Sequence, residues 1–174
     1  KIKILSGYRS FNRQLTIWNA KYNRHNKSNL TPQQIIEEVS KYSAIPGTSR
    51  HHWGTEIDII DENADIQSGD ILNPKHYDSG GAFYKMHLWL KDNAHQFGYY
   101  MVYDNDSCRT GFKYEPWHFS YAHVSKNILK EFSKIDLYEF LSRSKILGRQ
   151  FMDKNCLKSY FLTHLLGINP LLIS

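Results

Sequence analysis

Cysteine is scarce in this sequence: Cys108 and Cys156 are the only two among 174 residues. One bridge at most could form, so a disulfide-stapled miniprotein is excluded, and whether the two thiols pair stays open at this level. No apolar run approaches the ~20 residues a membrane span needs. The most apolar stretch lies near the C-terminus and is broken by Gly167 and Pro170. No internal repeat, low-complexity tract or linker interrupts the first 130 residues. Charge of one sign is not concentrated either: 22 Lys+Arg stand against 17 Asp+Glu, a net +5, without a basic cluster or a nucleic-acid motif. A nucleic-acid-binding function therefore has little support. What is present is 41% hydrophobic residues, including 12 Tyr, 9 Phe and 4 Trp, which excludes a disordered chain. A chain of this length suits one domain that buries roughly 70% of its unfolded surface.

Local patterns divide the chain into short elements. Lys1 to Leu5 reads as a strand. Ser10 is a candidate N-cap for a helix carrying Phe11, Leu15, Trp18 and Tyr22 at helical spacing. Thr31-Pro32-Gln33-Gln34 has a capping-box pattern and opens a second helix, with Ile35, Ile36, Val39 and Tyr42 expected inward. Between Thr55 and Ile60, strict alternation puts Ile57 and Ile59 on one face of a strand and Glu56 and Asp58 on the other. Residues 61–81 are polar and turn-rich and read as a surface excursion. A helix follows from Phe83 to Phe97 and ends at Gly98, then a strand over 99–103 whose hairpin partner is 112–121. The last ~50 residues have helical periodicity, with Asp136 and Glu139 as a capping pair. Strands and helices neither alternate regularly nor segregate fully, so the fold class is α+β.

Two segments carry the chemistry. Ser49-Arg50-His51-His52-Trp53-Gly54-Thr55-Glu56-Ile57-Asp58 places loop imidazoles before a strand carboxylate, with Gly54 permitting a tight turn between them. Glu115-Pro116-Trp117-His118 supplies another imidazole and a nearby carboxylate. Two histidines and one carboxylate suit zinc with a fourth position open, and a further carboxylate outside the coordination sphere can serve as general base. The second segment poses a geometric problem. Residues three apart on an ideal strand face opposite sides, so Glu115 and His118 converge only through a twist or bulge. Pro116 points to an irregular or edge position there, where Trp117 and Phe119 would pack inward.

Together with Ser-Gly-Tyr-Arg-Ser over 6–10, Gln14, Asn93-Ala94, Phe97-Gly98 and Thr110-Gly111, these segments give the chain its resemblance to a known family. Over about residues 1–124 it resembles the zinc D,D-carboxypeptidases of the VanY type and their L,D-carboxypeptidase relatives. The resemblance implies a single α+β domain of Hedgehog/DD-peptidase-like fold, with a small antiparallel sheet and flanking helices; beyond it, the helical periodicity of 125–174 is read as a C-terminal extension packed on the core. The resemblance also implies a zinc ion, Zn2+, held by His51, Asp58 and His118, which leaves His52 at the pocket rim or in a structural role. Glu115 would be the catalytic base and Arg9 would face the scissile carbonyl. Tyr8, Gln14, Ser49 and Tyr103 would line the substrate cleft. The chain departs from the pattern at Glu56, where relatives often carry a small residue and where a hydrogen bond to neighbouring backbone is the simplest role. It departs again at Ser120, where many relatives carry Arg.

The implied reaction is removal of a C-terminal D-alanine from a peptidoglycan stem peptide, across a D-Ala-D-Ala or an L,D bond. An endopeptidase on the same scaffold and a non-catalytic zinc-containing module that binds wall peptides are the competing readings. Such a substrate implies a bacterial cell envelope location, and a natural chain with a longer N-terminus bearing a signal or anchor. No nucleic acid, no membrane segment within this chain and a monomer are expected.

Overall fold

The computed structural model describes residues 1–66 and 69–173. Four strands form one antiparallel sheet in the order β1-β2-β4-β3: β1 is Ile2–Ser6, β2 Glu56–Asp61, β3 Tyr99–Met101 and β4 His118–Tyr121. The expected α+β class with a small antiparallel sheet is thus what the chain adopts. The hairpin partner expected over 112–121 shortens to the four residues of β4, which lies in the sheet interior between β2 and β3.

Register sets the chemistry of the two sheet faces. Asp58 pairs with His118, Glu56 with Ser120 and Ile57 with Phe119. Directly opposed residues on antiparallel strands project to the same side. Glu56, Asp58, His118 and Ser120 therefore make one polar stripe across β2 and β4. Ile59 and Phe119, on the other face, join a cluster with Phe83, Met86 and Leu90. Those three residues come from the start and body of α3, Tyr84–Asn93, which continues as a 3-10 turn to Phe97 and ends at Gly98 with φ 77°.

The polar stripe faces the larger helical layer. Helix α1, Phe11–His25, is capped by the Ser10 side chain, which accepts from the Arg13 N–H. Helix α2, Pro32–Ser40, has the full capping box between Thr31 and Gln34. Trp18, Ile35, Ile36 and Val39 from these helices are buried in one cluster with Leu129, Leu141, Leu157 and Leu165. The last four belong to α4 (Ala122–Phe132), α5 (Leu137–Leu141), α6 (Lys154–Tyr160) and a π turn over Phe161–Leu165 that prolongs α6. Residues of these elements after 124 share this core; Ser174 lies outside the described residues. Trp18 Nε1 donates to the Leu147 carbonyl at 3.0 Å, tying α1 to that segment. Gly111 and Gly167 both back onto the π turn, where a Cβ on either would run into the Thr163 carbonyl. Both cysteines are free, Cys108 exposed and Cys156 half-buried.

Two expectations need adjusting. Tyr42, expected inward, is 61% exposed beyond the end of α2. The 61–81 excursion, of which Gln67 and Ser68 lie outside the described residues, is not wholly superficial. Tyr77 is buried, and its hydroxyl donates to the Ile59 carbonyl at 2.7 Å, so the segment is pinned to β2. No helix among the described residues is long and apolar enough to cross a membrane.

Candidate metal centre

Three elements converge on the polar stripe. The first is a 3-10 turn over Arg50–Trp53, ended by Gly54 at φ 72°, a backbone conformation that glycine adopts without steric cost. The second is β2 with Asp58, and the third is β4 with His118. The loop after β1 closes over them, its Arg9 N–H donating to the His51 carbonyl at 3.0 Å.

The adjacent histidines have different work. His52 donates through Nδ1 to the Arg9 carbonyl at 2.6 Å, and its Nε2 accepts from the Gly47 N–H at 3.1 Å. Both ring nitrogens are engaged by backbone, so His52 braces the loop. His51 donates through Nδ1 to the Gly7 carbonyl at 2.7 Å, which leaves Nε2 as a lone-pair donor 3.4 Å from Asp58 Oδ2. His118 Nδ1 lies 3.9 Å from Asp58 Oδ1. One ligand atom from each of His51, Asp58 and His118 falls within 4.8 Å of the others, and all three residues are buried.

The apparent conflict between Glu115 and His118 is resolved by a turn. The His118 N–H donates to the Glu115 carbonyl at 3.1 Å, so residues 115–118 fold back before β4 begins. Glu115 Oε2 then comes within 3.2 Å of His118 Nδ1. Trp117 and Phe119 are buried as expected, although the strand they precede and join is not at an edge.

Charge and desolvation test whether these residues suit a metal. Asp58 is buried and held below the ordinary carboxylate range: burial opposes its charge, but the adjacent imidazoles of His51 and His118 and the Arg9 guanidinium outweigh it. Its Oδ1 has no hydrogen-bond partner. A buried carboxylate oxygen without a donor is costly unless a cation takes it up. Burial also opposes charge on His118, yet hydrogen bonds to Glu115 and Glu56 and the nearby Asp58 push its pKa up to about 10. The cluster thus draws in positive charge, and a divalent cation would supply it in place of the proton. Two imidazole nitrogens and a carboxylate oxygen are the donor set of a catalytic zinc site. The residues fit the ion.

Glu115 and Arg9 lie at the mouth of this cluster. They border a cleft of about 860 Å³ that is also lined by Ser49, Tyr103, Lys21 and Tyr114. Arg9 Nη1 donates to Gln14 Oε1 at 3.0 Å, and Nη2 stands 4.0 Å from Asp58 Oδ2. Gln14 is buried and donates to the Ala44 carbonyl at 2.7 Å, so it supports Arg9 from beneath instead of lining the cleft. Tyr103 is buried with its ring edge-on to His118, centroids 5.0 Å apart. Tyr8 is 72% exposed and does not line the cleft. Residues that sequence reasoning missed are Gly7, whose carbonyl fixes His51, and Lys21, whose ammonium reaches Ser43 Oγ at 2.6 Å in the cleft wall. The role given to Glu56 also changes: it bonds side chains, His118 among them, and not neighbouring backbone. Local spacing carries no signal for any of these, because each partner is remote in sequence or its orientation depends on packing.

Comparison with known proteins gives a consistent result. The model of the VanY family, described as D-alanyl-D-alanine carboxypeptidase, matches residues 1–124. A D-alanyl-D-alanine carboxypeptidase of Enterococcus faecalis is 31% identical over 82% of this chain and 48% of its own length. A putative carboxypeptidase of Bacillus subtilis is 30% identical over 79% of this chain and 43% of its own. The chain thus spans a little under half the length of these two relatives. Among solved structures, VanYB in complex with D-alanine-D-alanine is similar with a TM-score of 0.54 and 27% identity, over 83% of this chain and 72% of that one. A mutant of the vancomycin resistance D,D-pentapeptidase VanY in complex with Zn(II) has a TM-score of 0.52 and 25% identity, over 80% and 71%.

Proposed function

The chain belongs to the VanY D-alanyl-D-alanine carboxypeptidase family, and from that premise we propose that it is a zinc-dependent carboxypeptidase releasing a C-terminal D-alanine from peptidoglycan stem peptides. The observation that carries the reading is the buried trio His51, Asp58 and His118, with the unpartnered Asp58 Oδ1, beside Glu115 and Arg9 at a cleft. The Zn(II) and D-alanine-D-alanine complexes of similar proteins support it.

Zinc, when bound by the three residues, supplies Lewis-acid chemistry that acidifies a water and polarises a carbonyl. The remaining chemistry belongs to the chain. Glu115, within reach of the ligand His118, accepts the proton of the attacking water and returns it to the departing amine nitrogen. The Arg9 guanidinium stays charged at any working pH and faces the negative charge that develops on the carbonyl oxygen. Gln14 and the His51 carbonyl hold Arg9 in place, through its side chain and its backbone N–H respectively. Ser49 and Tyr103 border the bound peptide. In this reading the substrate lies in the bacterial cell envelope, where the enzyme acts.

Incubation of the zinc-loaded protein with defined stem tetra- and pentapeptides, followed by mass spectrometry, tests the proposal. Loss of one alanine from the pentapeptide gives D,D specificity, and loss of one from the tetrapeptide gives L,D specificity. An internal cut would replace the proposal with an endopeptidase. Intact peptides at full zinc loading would contradict catalysis and leave a binding module.

A further inference from the structure

We propose that Glu56 is a positioning residue of the metal centre: its carboxylate orients the His118 ring so that Nδ1, and not Nε2, is presented to the ion. The inference rests on the zinc reading of His51, Asp58 and His118.

Glu56 is 1% exposed, and its Oε2 lies 2.9 Å from His118 Nε2. A carboxylate can only accept, so Nε2 carries hydrogen in this contact; Nδ1 meets the Glu115 carboxylate more loosely, at 3.2 Å, and its hydrogen is the one an ion would displace, leaving the Nδ1 lone pair for the metal. That nitrogen is the one turned toward Asp58 and Glu115. A carboxylate behind a metal-bound imidazole fixes both tautomer and ring plane and raises the ligand's basicity. His51 has the matching arrangement with a carbonyl in place of the carboxylate, since its Nδ1 is tied to Gly7.

The carboxylate is itself held. Oε1 accepts from Ser120 Oγ at 2.6 Å, from Thr55 Oγ1 at 2.9 Å and from Arg50 Nη2 at 3.2 Å. Arg50 Nη2 also reaches Ser120 Oγ at 2.8 Å, and the Ser120 and Ser125 hydroxyls are 2.8 Å apart. Arg50 is buried over the Trp53 ring at 4.5 Å, and its Nε and Nη1 have no hydrogen-bond partner. An interior guanidinium satisfied through one nitrogen only is a poor stabilising device. Its charge does have a use here, because it balances Glu56 and so lets a second carboxylate stand behind His118 without adding net charge near the ion.

Glu56 and Ser120 are thus hydrogen-bonded to each other, and the guanidinium that meets them comes from position 50.

The test is zinc affinity of the full chain by competition with a chromophoric chelator. It is paired with the thermal midpoint of the zinc-free protein and the 15N signature of His118. Glu56→Leu alone would strand Arg50, so the variants are Glu56→Leu/Arg50→Met, which removes both charges, and Glu56→Gln, which keeps an acceptor. The double variant is expected to bind zinc roughly 10- to 100-fold more weakly and to lose the fixed Nε2–H tautomer. Glu56→Gln is expected to fall between it and the wild type, with the tautomer kept. A double variant that binds zinc as tightly as the wild type, with only its thermal midpoint moved, would show a merely structural ion pair and overturn the proposal. Should the double variant not fold, wild-type zinc affinity in Glu56→Gln overturns it equally. Failure of the wild type to bind zinc would instead remove the underlying metal reading, and this inference with it.

Discussion

At the scale of single residues, His51 and His52 show how much a site owes to what each ring nitrogen meets. Adjacent in sequence, they differ because backbone occupies both nitrogens of His52 and only one of His51. The proposed roles make Arg9 the sharpest residue-level test. Arg9→Ala is expected to lower kcat by about 10²–10³, the usual loss on removing an oxyanion-stabilising donor, while zinc content stays at the wild-type level. Gln14→Ala should shift kcat in the same direction by less, since it loosens the guanidinium without removing it. Steady-state kinetics beside metal analysis checks both; unchanged kcat in Arg9→Ala would dismiss its role. Spacing and resemblance together were enough to single out His51, Asp58, His118, Glu115 and Arg9, because those residues fall in short contiguous motifs. Gly7, Glu56 and Arg50 were not legible as parts of the site. Their contribution is the direction of a carbonyl or a carboxylate across the sheet, which a linear pattern does not encode.

Elements that end on local chemistry were the readable ones. Ser10 and Thr31 cap α1 and α2 as their side chains require, and Gly98 closes the α3 region in the left-handed conformation. The fold-back at 115–118 was legible only as a difficulty, since Pro116 flagged irregularity and tertiary pairing of β4 with β2 decided where the strand begins. Tyr42 failed for a related reason: periodicity pointed it inward, but α2 stops at Ser40 and the face no longer continues. At the C-terminal end, His164 stacks on Tyr160 at 4.5 Å and meets Phe112 edge-on at 5.0 Å. Burial there pushes its pKa down to about 4, against the backbone carbonyls of Tyr160 and Ser40 that favour the charged ring. The unfolded chain, near 6.5, then binds more protons than the folded one between those values, so this contribution to stability is lost as pH falls from about 6.5 toward 4. Chemical denaturation across that window should show stability declining with acidification, and His164→Phe should flatten the decline. An identical slope in the variant would contradict the assignment.

For the whole molecule, one arrangement joins fold and chemistry. The sheet turns its apolar face to α3 and its polar stripe toward the larger helical core, where the segment after residue 124 packs with α1 and α2. The centre therefore draws its residues from the loop after β1, the 3-10 turn, β2 and β4, elements far apart in sequence and close only when folded. A metal bound there is linked to folding of the whole chain. At a zinc concentration 1,000 times Kd the linkage contributes about 4 kcal/mol, or roughly 8–16 °C in Tm for a domain of this size. Chelation should lower Tm by that order and restored zinc should recover it, as read by calorimetry; a Tm indifferent to chelator would contradict a site built into the core.

The central claim, that this centre hydrolyses the terminal bond of a stem peptide with Glu115 as base, is tested most directly by D-alanine release from a defined stem pentapeptide and its tetrapeptide. Wild type and Glu115→Ala should be compared at matched zinc content. The account predicts one D-alanine released from the pentapeptide or the tetrapeptide by the wild type, and a rate lower by about 10²–10⁴ in the variant with its zinc retained. No release from either peptide by the fully zinc-loaded wild type, or equal release by the variant, would contradict it.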